Sequence, residues 1–365
     1  MRAFWARHRK LHIWLAAELV WLGTFFAVRG NRAWMNALTA RVTTPLRNAL
    51  GAGCYRVSFS VMEALCAALA VFIVWYLVWS AAAIARARGR RCRRAYSAVL
   101  GAACVALTIY GGFCFLWGVA YGADSFQDRS GIRAEKVSAE GLTAVTQYFA
   151  DRLNETAGLV ERDGYGLFSV SRQEILSESP RAYDVLERQF PFLSFPDRPP
   201  KPVYFSRVMS RLDFTGIYCP YTGESSVNMD SPACLLPSTV AHELAHQRGV
   251  ATEQECNFLS ILACTTCGMD DYAYSGWLLG YIYLGNALYR ADETAWKSVY
   301  GGLDPTVRAD LENNNAYWRQ FRSSSVKKVS NRVYDRFLKS YGETDGLQSY
   351  GTVVDLLVVY YQSRA

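Results

Sequence analysis

The pattern of apolar and polar residues divides the chain near residue 123. Three stretches before this point are long and apolar, at about residues 13–28, 64–85 and 95–121; the first contains one charged residue, Glu18, and the other two contain none. A helix of about 20 apolar residues is long enough to cross the hydrocarbon core of a bilayer. The pattern therefore predicts three transmembrane helices in a membrane domain at residues 1–123.

The pattern after residue 123 is typical of a folded domain that is mostly helical. Apolar residues recur at helical spacing in the segments 138–156, 181–190, 305–322, 326–341 and 352–362. Tyr272–Tyr289 is apolar but short for a membrane span, which predicts a buried core helix, with a helix at the membrane interface as the alternative. Val203–Met229 is rich in β-branched and aromatic residues and predicts one or two short strands. The fold class is membrane-anchored α+β, with the mostly helical domain and its short β-sheet at residues 124–365.

Charge is distributed as unevenly as hydropathy. Residues 1–123 carry 15 Lys and Arg and two acidic residues, whereas residues 124–365 carry 24 basic and 30 acidic residues. The positive charge of the first part lies in short arginine clusters between apolar stretches, so the net charge of +7 does not indicate a nucleic-acid-binding surface. We expect the lipid bilayer as a partner and no nucleic acid.

The arginine clusters also predict the orientation in the membrane. Four positive residues precede the first apolar stretch, six lie in the nine residues Arg86–Arg94, and five are spread over the 28 residues Arg29–Arg56. Segments that stay in the cytoplasm are enriched in Lys and Arg. We therefore predict a multi-pass protein of the cell membrane with a cytoplasmic N-terminus and an extracytoplasmic domain at 124–365.

The candidate chemistry lies in His242-Glu-Leu-Ala-His246, an H-E-x-x-H pattern. Positions four apart on a helix share one face, so both imidazoles can reach one metal ion, and Glu243 can act as general base on a water that the metal activates. The alternative is a pair of histidines that are hydrogen-bonded in a buried helix. The two remaining histidines, His8 and His12, lie in the N-terminal tail, so a third ligand near the motif must be a carboxylate or a cysteine.

Two glutamates shortly after the motif compete for the role of third ligand. Thr252 and Glu255 have the spacing of a capping box at the start of a helix, which gives Glu255 a structural task. Glu253 precedes Asn257 by four residues, so Asn257 shares its face and can orient it as a second-shell amide. We predict Glu253 as the third ligand, with Glu255 as the alternative, and zinc as the metal.

The strand region and the cysteines leave several alternatives open. In zinc peptidases of this general design an edge strand near the metal helix pairs with extended substrate backbone. Four residues are candidates for facing that cleft, with ordinary sheet surface as the alternative for each: Tyr218, Tyr221, Glu224 and Asn228.

Two pairs of cysteines in the second part of the chain are also of interest. Cys219 and Cys234 could form a disulfide outside the cytoplasm. Cys264 and Cys267 form an isolated C-x-x-C, with core residues as the alternative.

Four stretches of the chain resemble one bacterial membrane family, the domain of unknown function 3810 family: Phe214–Asn228, His242–Gly249, Glu253–Phe258 and Ser349–Leu357. The resemblance covers nearly the whole chain. It implies a zincin-like, gluzincin-type metallopeptidase, in which the two motif histidines bind zinc, the motif glutamate is the base and a glutamate of an E-x-x-x-D/N helix completes the site. It implies no particular substrate. The sequence departs from the family pattern at Cys256, where a small alanine is usual.

Our leading hypothesis is a membrane-anchored zinc metallopeptidase that hydrolyses peptide bonds in a peptide or protein substrate outside the cytoplasm. Three protein ligands would leave one position on the metal for water, and Glu243 would take the proton of that water. The alternative is a non-catalytic membrane scaffold or sensor with a structural zinc. A structural site is closed by four protein ligands, so a cysteine such as Cys256 would have to coordinate.

Overall fold

The computed structural model describes residues 8–321, 325–341 and 350–364. They fall into two compact units. The first comprises the chain up to Cys54 together with Val61–Ala123 and Pro220–Gly223, and the second comprises Tyr55–Ser60, Asp124–Cys219 and the chain from Glu224 onward. One unit boundary coincides with the domain boundary expected at 123, but two short segments are assigned across it.

The first unit is helical throughout its described part, with five α-helices: α1 Arg9–Val28, α2 Arg32–Leu38, α3 Thr44–Cys54, α4 Val61–Arg86 and α5 Arg91–Leu116. Helices α1, α4 and α5 are long and apolar enough to cross a membrane. The prediction of three long apolar helices is therefore confirmed. The third helix ends at Leu116, before the predicted 121, and a 3₁₀ turn follows at Gly118–Gly122.

The segment between the first two apolar helices is also helical. Asn31 starts α2, because its side chain accepts a hydrogen bond from the backbone N–H of Trp34 at 3.1 Å. A π-helical turn at Thr39–Thr43 then joins α2 to α3. Neither helix was expected from the sequence.

Glu18 is hydrogen-bonded between two of the apolar helices. Its Oε1 accepts from Trp14 Nε1 of α1 at 3.1 Å and from Thr108 Oγ1 of α5 at 2.6 Å. A carboxylate in an apolar helix is costly unless it is paired or hydrogen-bonded. Its two donors therefore explain how the α1–α5 pair accommodates this residue.

The second unit contains twelve α-helices within its described residues: α6 Phe126–Ser130, α7 Ala139–Ala157, α8 Arg172–Glu178, α9 Asp184–Gln189, α10 Ser206–Leu212, α11 Leu236–Gln247, α12 Glu253–Thr266, α13 Asp270–Ala291, α14 Glu293–Gly301, α15 Pro305–Arg319, α16 Ser325–Ser340 and α17 Tyr350–Tyr361. The five segments with helical spacing all form helices, with ends displaced by up to three residues. Helix α13 has Tyr272, Leu278 and Leu284 fully buried and packs against α7, α11 and α12. It is a core helix, as predicted.

A three-stranded sheet completes the second unit, with β1 at Lys201–Pro202, β2 at Gly216–Cys219 and β3 at Glu224–Val227. The order is β1-β3-β2; β1 runs parallel to β3, and β2 runs antiparallel to it. Strand β2 is therefore an edge of the sheet. The prediction of short strands within 203–229 is right, but helix α10 interrupts this segment and was not expected.

The segment Tyr55–Ser60 is bound to the sheet of the second unit. The hydroxyl of Tyr55 accepts hydrogen bonds from Ser225 N and from Gln247 Nε2, each at 3.2 Å. The buried Lys201 Nζ donates to the carbonyl of Phe59 at 2.9 Å. Lys201 also forms an ion pair with Glu224 on β3, whose side chain is fully buried. These bonds make a segment that lies between α3 and α4 in the sequence part of the second unit.

No disulfide bond joins any of the ten cysteines, all of which lie among the described residues. The disulfide considered between Cys219, half-buried on β2, and Cys234, buried in the hydrophobic core, is therefore not formed. Cys264 is fully buried and Cys267 is half-buried, and the Sγ of Cys267 lies 3.3 Å from the carbonyl oxygen of Cys264. The C-x-x-C pair is therefore part of the core packing of α12.

Candidate metal centre

Helix α11 carries the H-E-x-x-H pattern and begins and ends as local sequence predicts. Pro237 lies in its first turn, where the missing N–H costs nothing. Gly249 follows its end with φ of 88°, a left-handed conformation that glycine adopts without strain. The N–H of Gly249 donates to His246 O at 2.9 Å. The helix therefore stops directly after the second histidine.

The two histidines of α11 have their Nδ1 atoms engaged by oxygen acceptors. His242 Nδ1 lies 3.0 Å from Oδ1 of Asn257, and His246 Nδ1 lies 2.9 Å from the carbonyl oxygen of Val250. Since an oxygen acceptor requires the hydrogen on Nδ1, each neutral ring carries its lone pair on Nε2. Asn257 therefore orients His242. The sequence had suggested that Asn257 orients Glu253.

Both Nε2 atoms face the carboxylate of Glu253, the first residue of α12. Glu253 Oε2 lies 3.2 Å from His242 Nε2, and Oε1 lies 3.7 Å from His246 Nε2. The turn after Gly249 brings the start of α12 back to α11, and the two helices pack against each other. The structure thus brings together the three residues that were predicted as ligands.

Glu255, the alternative ligand, is engaged elsewhere. Its carboxylate accepts hydrogen bonds from the backbone N–H groups of Phe126, at 3.1 Å, and of Gln127, at 2.9 Å. Thr252 donates to the same carboxylate at 3.1 Å, and its side chain caps no backbone N–H of α12. The expected capping box is therefore wrong. Glu255 instead binds the first turn of α6, which excludes it from the histidine cluster.

Cys256 lies close to the cluster but on the other side of His246. The ligand atoms of His242, His246 and Cys256 all lie within 4.8 Å of one another. However, Cys256 Sγ is 3.3 Å from His246 Nδ1, the nitrogen that bonds to Val250, and its thiol donates to the same carbonyl at 3.4 Å. His246 therefore presents Nδ1 towards Cys256 and Val250, and Nε2 towards Glu253.

Glu243 lies between the histidines on α11 and is 3% exposed. Its Oε2 is buried and has no hydrogen-bond partner among the residues that the structure describes. Burial, and to a lesser degree the negative charge of Glu253, raise the pKa of Glu243 to about 8, although His242 opposes this shift. A buried carboxylate oxygen without a partner marks a position where a further group is expected.

The charges of His242 and Glu253 stabilise each other. Burial by itself lowers the pKa of His242, but the hydrogen bond and the negative charge of Glu253 outweigh it, so the pKa is raised above the ordinary 6.5. Burial by itself raises the pKa of Glu253, but the hydrogen bond to His242 and the nearby histidine charges bring it to about 2. Glu253 is therefore a carboxylate throughout the physiological range.

Helix α11 is held by buried polar contacts at its middle and at its C-terminal end. The hydroxyl of Tyr183 donates to the carbonyl of Ala241 at 2.9 Å. The guanidinium of Arg248, which is fully buried, bonds to Glu187 at 2.9 Å and to Asp197 at 2.6 Å and stacks 3.8 Å from the Tyr183 ring. These contacts fix the position of the helix, and with it the direction of both imidazoles.

Three further residues lie beside the cluster, and the sequence had offered one of them, Tyr218, as a candidate for the cleft. Tyr334 on α16 donates its hydroxyl hydrogen to Oε1 of Glu253. Gly216 on β2 lies directly against Glu243. The ring of Tyr218, also on β2, lies 6.5 Å from the ring of His246. Only Tyr218 was a candidate for the cleft, and no local pattern links the other two to the motif.

The other three cleft candidates lie elsewhere. Glu224 is fully buried in the ion pair with Lys201. Asn228 is 1% exposed and donates to Ser210 Oγ and to the carbonyl of Phe214. Tyr221 belongs to the first unit and donates its hydroxyl hydrogen to a backbone carbonyl of α5. These three residues have structural roles.

The donor set fits zinc. Two imidazole nitrogens and one carboxylate are a ligand set that zinc takes in catalytic sites, where a fourth position stays open. Each histidine is oriented by an oxygen atom bound to its Nδ1, from Asn257 or from Val250, as metal-binding histidines commonly are. The buried Oε2 of Glu243, which has no partner among the described residues, supplies an acceptor beside the set. His242, His246 and Glu253 are thus the residues that would hold the ion.

The described residues form a mostly helical, membrane-associated protein in which two consecutive helices bring His242, His246 and Glu253 together. The chain belongs to a family of proteins of unknown function, DUF3810, whose model matches residues 41–358. The family resemblance seen in the sequence is therefore confirmed. Comparisons with curated proteins and with solved structures find no match.

Proposed function

We propose that the protein is a membrane-anchored zinc metallopeptidase. The observation that carries this proposal is the convergence of His242 Nε2 and His246 Nε2 on the carboxylate of Glu253, with the buried Glu243 between the two histidines on the same helix. This donor set is the one that hydrolytic zinc sites of the H-E-x-x-H type use.

In the proposed reaction the protein supplies three metal ligands, a general base and an edge strand, β2, that binds the substrate. When bound, zinc would act as a Lewis acid that lowers the pKa of a water molecule to about 7. Glu243 would accept a proton from the attacking water as the water oxygen bonds to the peptide carbonyl carbon, and would deliver it to the amine nitrogen as the carbon–nitrogen bond breaks. The hydrogen bonds from His242 to Asn257 and from His246 to Val250 keep both Nε2 atoms facing Glu253, where these three residues would hold the ion.

The substrate class follows from the edge strand. Strand β2 pairs with β3 on one side and is the terminal strand of the sheet within the described residues. It lies beside the motif, since Gly216 contacts Glu243 and Tyr218 faces His246. An edge strand can pair with extended peptide backbone whatever the side chains of that peptide. We therefore propose an extended segment of peptide or protein as the substrate.

The proposed location is the outer side of the cell membrane. The positively charged tail and the arginines between α4 and α5 favour the cytoplasm, so the chain after α5 emerges outside. A cysteine introduced at the exposed Gly301 should react with a membrane-impermeant maleimide in intact cells. The native Cys92, which is exposed within the arginine cluster, should react only after lysis. The opposite pattern would move the site and its substrates to the cytoplasm.

The rival function, a scaffold or sensor with a closed structural zinc, requires Cys256 as a ligand. The position of Cys256 on the Nδ1 side of His246 supports the open site instead. Zinc content of the Cys256→Ser variant discriminates the two, because serine keeps the size of the side chain and removes the thiol. Unchanged zinc is expected; loss of zinc would favour the structural site.

The decisive experiment uses the full chain in detergent micelles or nanodiscs. We expect one zinc per chain and hydrolysis of a pool of internally quenched fluorogenic peptides. Glu243→Gln, which keeps the size of the side chain and removes the base, should retain zinc and lose hydrolysis by a factor of about 100 or more. Equal hydrolysis by this variant, or a wild-type protein that binds zinc and cleaves no peptide, would contradict the proposal.

A further inference from the structure

Strand β2 runs along the face of α11 that carries the motif. Side chains at positions i and i+2 of a strand point to the same side, so Gly216 and Tyr218 share a face. Tyr218 covers His246, with its ring inclined by 27° to the imidazole. Gly216 covers Glu243, which lies one helical turn before His246. The two positions of β2 thus match two successive turns of the helix.

The contact between Gly216 and Glu243 leaves no room for a side chain on the strand. A Cβ atom built on Gly216 would lie 2.7 Å from Cγ and 2.8 Å from Cδ of Glu243 and would overlap Oε1. Carbon atoms in favourable contact are about 3.5–4.0 Å apart. Since Glu243 is 3% exposed, its side chain is enclosed by protein and cannot turn aside into solvent.

Backbone conformation does not explain the glycine. Gly216 does not have a positive φ, so an alanine could adopt its backbone geometry. Glycine within a strand normally weakens it and is typical of places where another group approaches closely. Here Gly216 pairs with Val227 of β3 in a regular antiparallel register, so no bulge requires it either. The close approach of Glu243 is the remaining physical reason.

We propose that Gly216 is a positioning residue for Glu243. The absence of a side chain on β2 allows the carboxylate to occupy the space between the strand and the two histidines. This inference rests on the proposed function for the role of Glu243 as base, and it adds that the strand proposed to bind the substrate also fixes the base. Four residues, Gly216–Cys219, would therefore place both the peptide backbone and the proton acceptor.

A thermal double-mutant cycle in the full chain tests the contact without any substrate. The variants are Gly216→Ala, Glu243→Ala and their combination, with Gly158→Ala as the control. A Cβ atom on Gly158 meets no atom within 4 Å and its φ is −85°, so alanine fits there. Overpacking at Gly216 should lower the unfolding temperature by about 3–10 °C, and Gly158→Ala should change it by less than about 2 °C.

The cycle is decided by the combined variant. In the Glu243→Ala background the new methyl group fills the space that the carboxylate has left, so Gly216→Ala should cost less than about 2 °C there. A single variant that fails to fold, together with a combined variant that folds, would support the contact equally. An undiminished loss in the Glu243→Ala background would mean that the clash is with another group, and the inference would be wrong.

Zinc content and peptide cleavage separate a positioning role from a merely structural one. Gly216→Ala should keep one zinc per chain, because none of the three ligands is touched, and should lose cleavage of the fluorogenic pool by a factor of about 100. Wild-type cleavage by a zinc-loaded Gly216→Ala protein would overturn the inference while leaving the proposed function intact. A failure of Glu243→Gln to lose activity would instead refute the proposed function, and the thermal cycle would still decide the contact.

Discussion

The hydroxyl of Tyr334 donates a hydrogen bond to Oε1 of Glu253, a residue 81 positions earlier in the chain. The ring of Tyr334 packs edge-on against Phe214, with centroids 5.5 Å apart. Helix α16 is joined to the same region by Lys327, whose ammonium lies 2.7 Å from Asp213. Tyr334 is thus held in place on the predicted carboxylate ligand.

Loss of the Tyr334 hydroxyl should weaken metal binding. Groups that orient a metal ligand typically contribute a factor of about 10–100 in affinity. We expect Tyr334→Phe to bind zinc about tenfold more weakly in competition with a fluorescent chelator, with an unfolding temperature close to that of the wild type. Tyr165→Phe is the control, because Tyr165 is 89% exposed. Equal affinity of the Tyr334 and Tyr165 variants would show that Glu253 needs no such orientation.

Removal of each glutamate at the start of α12 should have a different effect. Glu253→Ala should lose zinc and hydrolysis. Glu255→Ala should keep zinc but lower the free energy of unfolding by about 1–3 kcal/mol, since Phe126 and Gln127 lose a charged acceptor for their N–H groups. Metal analysis and thermal unfolding measure the two effects. Zinc lost from the Glu255 variant and kept in the Glu253 variant would reverse the assignment.

Zinc affinity should rise with pH. The pKa of Glu243 is raised to about 8, so this carboxyl holds a proton at pH 7, and the pKa of His242 is raised above 6.5, so its ring keeps a proton to a higher pH than a free imidazole does. A cation favours their deprotonated forms, and each proton that is released makes binding stronger as pH increases. Glu253, with a pKa of about 2, contributes nothing to this slope.

Calorimetry in buffers of different ionisation enthalpy measures the released protons directly. At pH 7 we expect about one to two protons per zinc, and Glu243→Gln should release about one fewer. Affinity should fall progressively from about pH 8 downward. Binding that is independent of pH between 6 and 8, with no proton release, would contradict the charge states inferred for these groups.

The Tyr55 hydroxyl should stabilise the second unit. Tyr55→Phe removes the acceptor for two donors, Ser225 N and Gln247 Nε2. Unsatisfied buried donors cost about 1–3 kcal/mol, so the free energy of unfolding of the full chain should fall by an amount in that range. Denaturant unfolding measures it, with Tyr165→Phe as the exposed control. No difference between the two variants would mean that water replaces the tyrosine oxygen.

Local spacing made part of the site predictable. His242, Glu243 and His246 are fixed by the period of one helix, and Glu253 follows after a single turn, so their meeting needs only the local geometry of two helices. The role of Glu255 could not be obtained in this way, because its partner Phe126 lies 129 positions away. The spacing of Thr252 and Glu255 suggested a local capping role for Glu255, but in the structure Glu255 binds the first turn of α6.

Other features depend on tertiary packing alone. Gly216 was part of a predicted strand, but nothing in a glycine indicates which helix will pack on it. Asn257 was placed on the correct face of α12, yet its bond to His242 depends on how α11 and α12 cross. The long apolar helices were predictable because a segment that crosses a bilayer needs about 20 consecutive apolar residues. Helices α2 and α3 contain no apolar stretch of that length.

Each unit includes a short segment that is encoded within the other, which limits how the two units can be inherited separately. Tyr55–Ser60 belongs to the unit that follows it in sequence, and Pro220–Gly223 belongs to the unit that precedes it. No single crossover between genes could transfer one unit complete and without part of the other, because each unit contains a segment encoded within the other. The family match at 41–358 covers parts of both units, as expected if they descend together. A relative with the second unit on a different anchor would have to supply its own replacement for Tyr55.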